Sequence, residues 1–272
     1  MRPLVGRIVL NDAAAVPGIA PDAAAENLQR AMLAVIGTFT RPDGCLDYQA
    51  VRGSWEWAEA VARAGALQGV SLDDLDGRQP RLAFWINVYN ALVFHAVVAL
   101  EIQRTVWELR GFYGRVCYRI GGFVLSADDV EHGILRDNAR HGWLRRRRFS
   151  GRDPRLALPL HPVDPRIHFA ITCGAQSCPP VGAYGADALD QQLDLAARNF
   201  LNQEVAVDER GRVTCSRILQ WYAKDFEAAG GLSAFLARYL DAGPARDAVA
   251  GRARPCDAYR PYDWALQHEP AE

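Results

Sequence analysis

Apolar side chains at Leu28, Ala31, Met32, Val35, Ile36 and Phe39 recur at three- and four-residue steps, which predicts a helix from about residue 22 with one apolar face. "RPDG" breaks it. A second helix is predicted over 47–64, with Tyr48, Val51, Trp55, Ala58 and Ala62 as its stripe. Ser71 and Asp74 have capping-box spacing for a short helix. Pro80 suits the first turn of a long helix through "RLAFWINVYNALVFHAVVAL". That stretch is apolar nearly all round, so it is expected to be the buried central helix. Its longest strongly apolar run, "ALVFHAVVAL", is too short for a bilayer and contains His95.

The period then changes to two. "VCYRIGGFVLS" reads as a β-hairpin turning at Gly121-Gly122. Ser126 and Asp129 form another capping-box pair, opening the helix "ADDVEHGILRDNAR". A polar, proline-rich passage over 142–166 leads into the apolar run "IHFAITC", which is expected to be a strand over 167–173. A helix near 188–201, a hairpin in "VAVDERGRVTCS", a helix capped by Ser216 and a short helix "LSAFLARYL" come next. The tail "PCDAYRPYDWALQ" reads as aromatic and extended.

Helices outnumber strands, and the strands come as hairpins, not as βαβ units. The pattern predicts an α+β fold, mainly helical, with a small sheet built from hairpins around the buried central helix. The Ala- and Pro-rich residues 1–20 are expected to be poorly ordered, and 21–272 to form a single domain. With 272 residues, half of them hydrophobic, the chain can build a sizeable core. A formal net charge of -1 gives no whole-protein field toward nucleic acid or membrane. The apolar opening is interrupted by Arg7 and does not read as a secretory signal, so a cytoplasmic protein is expected. There is no internal repeat, Gly-rich phosphate loop or dinucleotide fingerprint.

Six cysteines in a chain of this length do not read as a disulfide framework, and a reducing cytosol would keep most as thiols. Cys45, Cys117, Cys215 and Cys256 read as small buried hydrophobes. Cys173 and Cys178, in "RIHFAITCGAQSCPPV", form the local constellation. Gly174 permits a sharp turn, and the two prolines after Cys178 stiffen the exit. Four readings stand for the pair. One is a nucleophilic thiol with a histidine base, its pKa lowered at a strand end. A second is zinc held with His168, His132 or His161, although the spacing is longer than a tight zinc knuckle. A third is a redox pair closing as a disulfide, and the fourth is purely structural packing.

Other polar positions carry paired readings. His132, next to Glu131, is a helix-end histidine or a catalytic base. Asn87 and Asn90 interrupt the apolar helix, so they bond loop backbone, orient an imidazole or donate to an oxyanion. The run Arg145 to Arg148 is a solvated face or an anion site.

"LAFWINVYNALVFHAV", "LSADDVEHGILR", "DPRIHFAITCGAQSCPPV", "SRILQWYAKDF" and "PYDWAL" stand in the order typical of domain-of-unknown-function family 547, which the chain resembles over roughly 80–267. "CGAQSCPP" joined to "IHFA" is the most specific part. The resemblance implies a single α+β domain of unsettled activity. It places the family's motif positions on Asn87, Asn90, Glu131, His132, His168, Cys173, Cys178 and Asp263. Gln267 stands where relatives commonly have asparagine. Many relatives are exported, a property that does not carry over to this chain.

The functional expectation is a cysteine-dependent hydrolase or acyl transferase acting on an amide or thioester. Cys178 would be the nucleophile and His132 or His168 the base, with Asn87 or Glu131 orienting the imidazole. Cys173 belongs to the same catalytic set; Asn90 and Asp263 would contact a small-molecule or peptide substrate. No cofactor is expected, zinc being the exception left open. The alternatives are a non-enzymatic interaction module, a Cys/His metal site and a thiol redox protein.

Overall fold

The central helix forms as its apolar sequence requires. α4, Arg78–Ala99, buries every side chain from Leu82 to Val98, and α1, Pro21–Phe39, packs along it. The computed structural model describes residues 6–12, 19–42, 46–140 and 146–266. By length and composition α4 is apolar enough to cross a bilayer, longer than the run singled out in the sequence, but here it is the core helix of a folded domain. The helix expected over 47–64 is two: α2, Tyr48–Gly53, and α3, Trp55–Ala66. The break falls where the Ser54 side chain accepts the Trp57 N–H and caps α3. Ser71 makes no cap bond, and only one 3₁₀ turn, Leu72–Asp74, comes after it.

After a short α5, Phe112–Arg115, the hairpin of β2, Val116–Ile120, and β3, Phe123–Ser126, forms as expected. Its two central glycines both have positive φ, as a type I′ turn needs. A third strand was not foreseen. β1, Ile8–Val9, pairs parallel to β2, so part of the opening segment expected to be poorly ordered belongs to a sheet. Asn11 fixes it further, exchanging hydrogen bonds with the Arg119 backbone.

The Ser126–Asp129 capping box is present in both directions, each at 3.1 Å. It opens a π-helical segment, Asp129–Leu135. Asp129, almost fully buried, is met by Arg7, Arg148 and Arg155. Arg148 is therefore an anchor of this turn, while Arg146 and Arg147 are exposed and Arg145 lies outside the described residues.

The run over 167–173 is not a strand. Pro165 and the Asp164 side chain, which accepts the Arg166 N–H, start a 3₁₀ segment, Pro165–Phe169, and the backbone beyond it is irregular. The segment is buried between two apolar clusters. Ile167, Ala170 and Ile171 face the cluster around α4, while Phe169 belongs to the second.

That second cluster is built by α6, Leu189–Glu204, α7, Arg217–Trp221, α8, Ala223–Ala228, α9, Leu232–Tyr239, and α10, Pro244–Val249. It also includes the sheet of β4, Ala206–Val207, β5, Val213–Cys215, and β6, Ala258–Tyr259. β4 and β5 are the expected hairpin; β6, from the tail, adds in parallel to β5. Cys215 and Cys256 form a disulfide across this sheet, Cα–Cα 5.9 Å, which corrects their reading as isolated thiols. Cys117 stays a free buried thiol, pushed up to about 11 chiefly by burial, as the apolar reading expects, and Cys45 lies outside the described residues. The whole is a mainly helical α+β domain with two small three-stranded sheets.

Candidate functional site

Where the two clusters meet, a cleft of about 280 Å³ opens. Its floor carries Glu131 and His132 of the π-helical segment, with Tyr89 of α4 and His168; its wall is the cysteine loop; its rim is aromatic, with Trp107, Trp221, Tyr262 and Trp264.

Local sequence explains the cysteine loop. With no neighbouring strand, the backbone of the run needs another partner. Asn90 supplies it: the amide donates to the Ala170 carbonyl at 2.9 Å and accepts the Thr172 N–H at 2.9 Å. Gly174 then turns with φ +85°, and Tyr113 donates to the Cys173 carbonyl at 2.8 Å. The tail straps the loop from outside. Gln176 N–H donates to the Ala265 carbonyl, Asp263 N–H donates to the Ser177 hydroxyl, and Ala175 bridges to Leu266.

Cys173 and Cys178 are joined as a disulfide, Cα–Cα 6.3 Å. Cys173 is half-buried and Cys178 is 8% exposed. The Cys173 N–H donates to Cys178 Sγ at 2.9 Å. The Tyr262 hydroxyl lies 3.1 Å from Cys178 Sγ and 3.2 Å from Cys173 Sγ. Burial raises Tyr262 above its ordinary value, so this hydroxyl keeps its proton and serves as a donor.

Glu131 is buried and accepts from Tyr89 at 3.0 Å and Tyr222 at 2.6 Å. Burial alone would raise its pKa; His132, the Tyr222 hydroxyl, Arg136 and His168 outweigh that and keep it ionised. Its Oε1 is 3.5 Å from His132 Nδ1. Arg136, which can only donate, is 3.0 Å from the same Nδ1. That nitrogen is therefore an acceptor, and the proton of neutral His132 sits on Nε2.

His168 has the opposite arrangement. Its Nε2 is 2.9 Å from Asp225, which Arg136 also grips with two hydrogen bonds. Burial raises the Asp225 pKa, but the His168 and Arg136 hydrogen bonds overcome it and hold the carboxyl down at about 2. Burial lowers the His168 pKa, so the ring is neutral and donates Nε2–H to the carboxylate. Nδ1 then carries a lone pair, buried and without a partner. The ring stacks on Tyr222 at 3.8 Å between centroids.

The structure thus brings Cys173, Cys178, Glu131, His132 and His168 to one cleft and keeps three other sequence candidates out. Asn87 exchanges two hydrogen bonds with the Tyr184 backbone and orients no imidazole. Asn90 holds the cysteine loop from behind and is fully buried. The Asp263 carboxylate accepts the Ala265 N–H on the exposed strap. His161, considered with zinc, is at the surface beside Asp137. Among the described residues no group of three or more His, Cys, Asp or Glu side chains is placed to hold a metal ion.

Sequence reasoning missed Tyr89, Tyr222, Tyr262, Arg136 and Asp225. Tyr222 and Asp225, three apart on one helical face, and Arg136, four after His132, had a spacing that puts neighbours together.

Residues 72–201 match the family model described as "Protein of unknown function, DUF547". The chain is similar to that family over this segment, just under half of its length. The DUF547 match covers Asn87 through Cys178 among the motif positions and ends inside α6, short of the 267 to which the resemblance was drawn. Tyr222, Asp225, Tyr262 and Trp264, all at or beneath the cleft, lie beyond it. No curated protein and no solved structure matches the chain.

Proposed function

We propose that the cleft carries out thiol–disulfide exchange, with Cys173–Cys178 as the redox pair. The observation that supports this reading is a disulfide in the wall of an aromatic cleft, with one of its sulfurs already held by two donors. An incoming substrate thiolate attacks the more exposed Cys173 Sγ. The S–S bond breaks, a mixed disulfide forms, and Cys178 leaves as a thiolate. Its charge falls between the Cys173 N–H and the Tyr262 hydroxyl, which makes it a better leaving group. A second substrate thiol, as thiolate, attacks the substrate sulfur of the mixed disulfide and expels Cys173. The substrate ends oxidised to a disulfide, and the protein ends as a dithiol holding two electrons and two protons. Two disulfides in one chain also fit an oxidising compartment, and we place its work there rather than in the cytoplasm.

The test is to mix oxidised protein with a dithiol and monitor reduction of the 173–178 pair by mass spectrometry. Wild type should oxidise the dithiol. Cys178→Ser, challenged with a small mixed disulfide, should hold a long-lived adduct on Cys173. A reduced pair that reacts with iodoacetamide no faster than an ordinary free thiol at neutral pH would remove the activated sulfur from the scheme.

A second reading, cysteine-dependent hydrolysis or acyl transfer, is favoured by the floor. In the reduced protein the Cys178 thiolate would attack an amide or thioester carbonyl. His132, charged to the imidazolium by the proton of the Cys178 thiol, would protonate the leaving group from Nε2 and be left neutral, while the Glu131 carboxylate, 3.5 Å from Nδ1, would stabilise the imidazolium. Catalytic turnover of a thioester under reducing conditions, lost on oxidation, would select this reading over exchange.

A further inference from the structure

We infer that the cleft takes a ligand bearing a primary ammonium group. This rests on the exchange reading only where it names the substrate, which becomes an aminothiol; the binding part stands on the cleft itself.

Three observations converge. First, the charged side chains lining the cleft are the carboxylates Asp128 and Glu131; no lysine or arginine is among the described lining residues. The nearest cations are already engaged. Arg136 is bound to Asp225 and lies 4.7 Å from the centre of the Tyr222 ring, and Arg148 reaches Asp128 at 3.4 Å but Asp129 at 2.7 Å. An anionic ligand would meet carboxylates and no counter-charge.

Second, the rim is a continuous aromatic wall. Tyr262 and Trp264 are 4.6 Å apart between centroids, Trp221 and Tyr262 4.8 Å, and Trp107 and Trp264 4.9 Å. Trp107 and Trp221 remain 51% and 46% exposed, so their faces are open to a ligand. Aromatic faces beside a carboxylate attract a cation. The volume, about 280 Å³, suits a small molecule.

Third, His168 belongs to the cleft lining and has a wholly buried side chain, and its Nδ1 lone pair has no partner. A buried acceptor of this kind is normally satisfied. An ammonium N–H satisfies it; a quaternary ammonium, with no N–H, does not. This separates a protonated amine from a quaternary ammonium ion. The ligand hydrogen bond also needs no protonation of His168, whose other nitrogen already donates to Asp225.

The test uses the whole chain and ligands without sulfur. Benzylammonium, benzyltrimethylammonium, benzyl alcohol and benzoate are titrated at neutral pH, with tryptophan fluorescence as readout. Benzylammonium should bind about tenfold more tightly than the alcohol and severalfold more tightly than the quaternary ion, with benzoate weakest. Asp128→Asn should weaken benzylammonium about fivefold and leave the alcohol unchanged. Should that variant lose its near-UV circular dichroism, the wild-type ranking decides alone. Benzoate or the alcohol binding as well as benzylammonium overturns the inference. In parallel, cysteamine, 2-mercaptoethanol and 3-mercaptopropionate react with the oxidised protein, their rates compared per thiolate. Ammonium-selective binding with no exchange retains the inference and ends the exchange reading. Exchange without preference for cysteamine retains the exchange reading and overturns the aminothiol assignment.

Discussion

The two disulfides among the described residues occupy surroundings with little in common. Cys215–Cys256 ties β5 to the segment before β6, with Cys215 fully buried among the apolar side chains of the second cluster. It closes a loop of sequence separation 41. Cys173–Cys178 closes a separation of only 5, lies in a cleft wall, and has an N–H and a phenol directed at its sulfurs. A long closed loop restricts the unfolded chain; a short one restricts it little. Polar donors do nothing for packing but much for a departing thiolate. On the exchange reading the first bond holds and the second reacts.

The contrast breaks most directly by exchanging the losses. Cys178→Ala should lower exchange by about 10³-fold or more, measured as dithiol oxidation, whereas Cys215→Ala with Cys256→Ala should leave the rate within about threefold. In urea denaturation the order reverses. The Cys215/Cys256 double variant should lose about 4 kcal/mol, and opening the short loop about 2 kcal/mol at most. Equal stability losses would erase the distinction.

Asn90→Ala sharpens the comparison from the cleft side. It strands the Ala170 carbonyl and the Thr172 N–H, both buried, which costs about 3 kcal/mol. The loss should come with slower exchange, because the cysteine loop loses its support, while the Cys215–Cys256 bond stays intact by mass spectrometry.

The smallest effect is with pH. Asp225 is held at about 2, below its unfolded value of about 3.9, so its pairing stabilises the protein above about pH 4 and is lost as pH falls through 2. His168 is lowered too, so the unfolded chain binds its proton first, and stability already declines on acidification below about 6.5. Asp225 alone should cost roughly 1 kcal/mol by pH 3, and His168 adds to the loss, seen as a falling Tm. Asp225→Asn should flatten the lower part of that curve. A wild-type Tm unchanged from pH 7 to 3 would contradict the buried Asp225–His168–Arg136 arrangement.

The sequence disclosed most where one physical signal dominated. The all-apolar α4, the Gly121-Gly122 turn and the Ser126–Asp129 box were legible because each is a local pattern with one structural solution. The strand expected over 167–173 failed for an identifiable reason: an apolar run reads alike whether it lies in a sheet or is wedged between two clusters. Asn90, 80 residues earlier, supplies two of the bonds that a sheet would have given. The cleft was half legible. Glu131, His132 and the two cysteines stood out by type, and two of the six cysteines hid a long-range bond that spacing does not reveal. Tyr262 and Asp225 were invisible because they matter only through partners 84 and 57 residues away.

The strap that carries Tyr262 has a consequence for what counts as one unit here. Kinship by sequence stops at residue 201, in the middle of a helix, yet the phenol that touches both sulfurs, two of the rim tryptophans and the carboxylate beneath His168 all come later. A fragment cut at that boundary would keep the sulfurs and lose their surroundings. Relatives should therefore be sorted by their chain beyond the shared segment. Two proteins alike up to 201 but unlike after it would share a scaffold and differ in their chemistry.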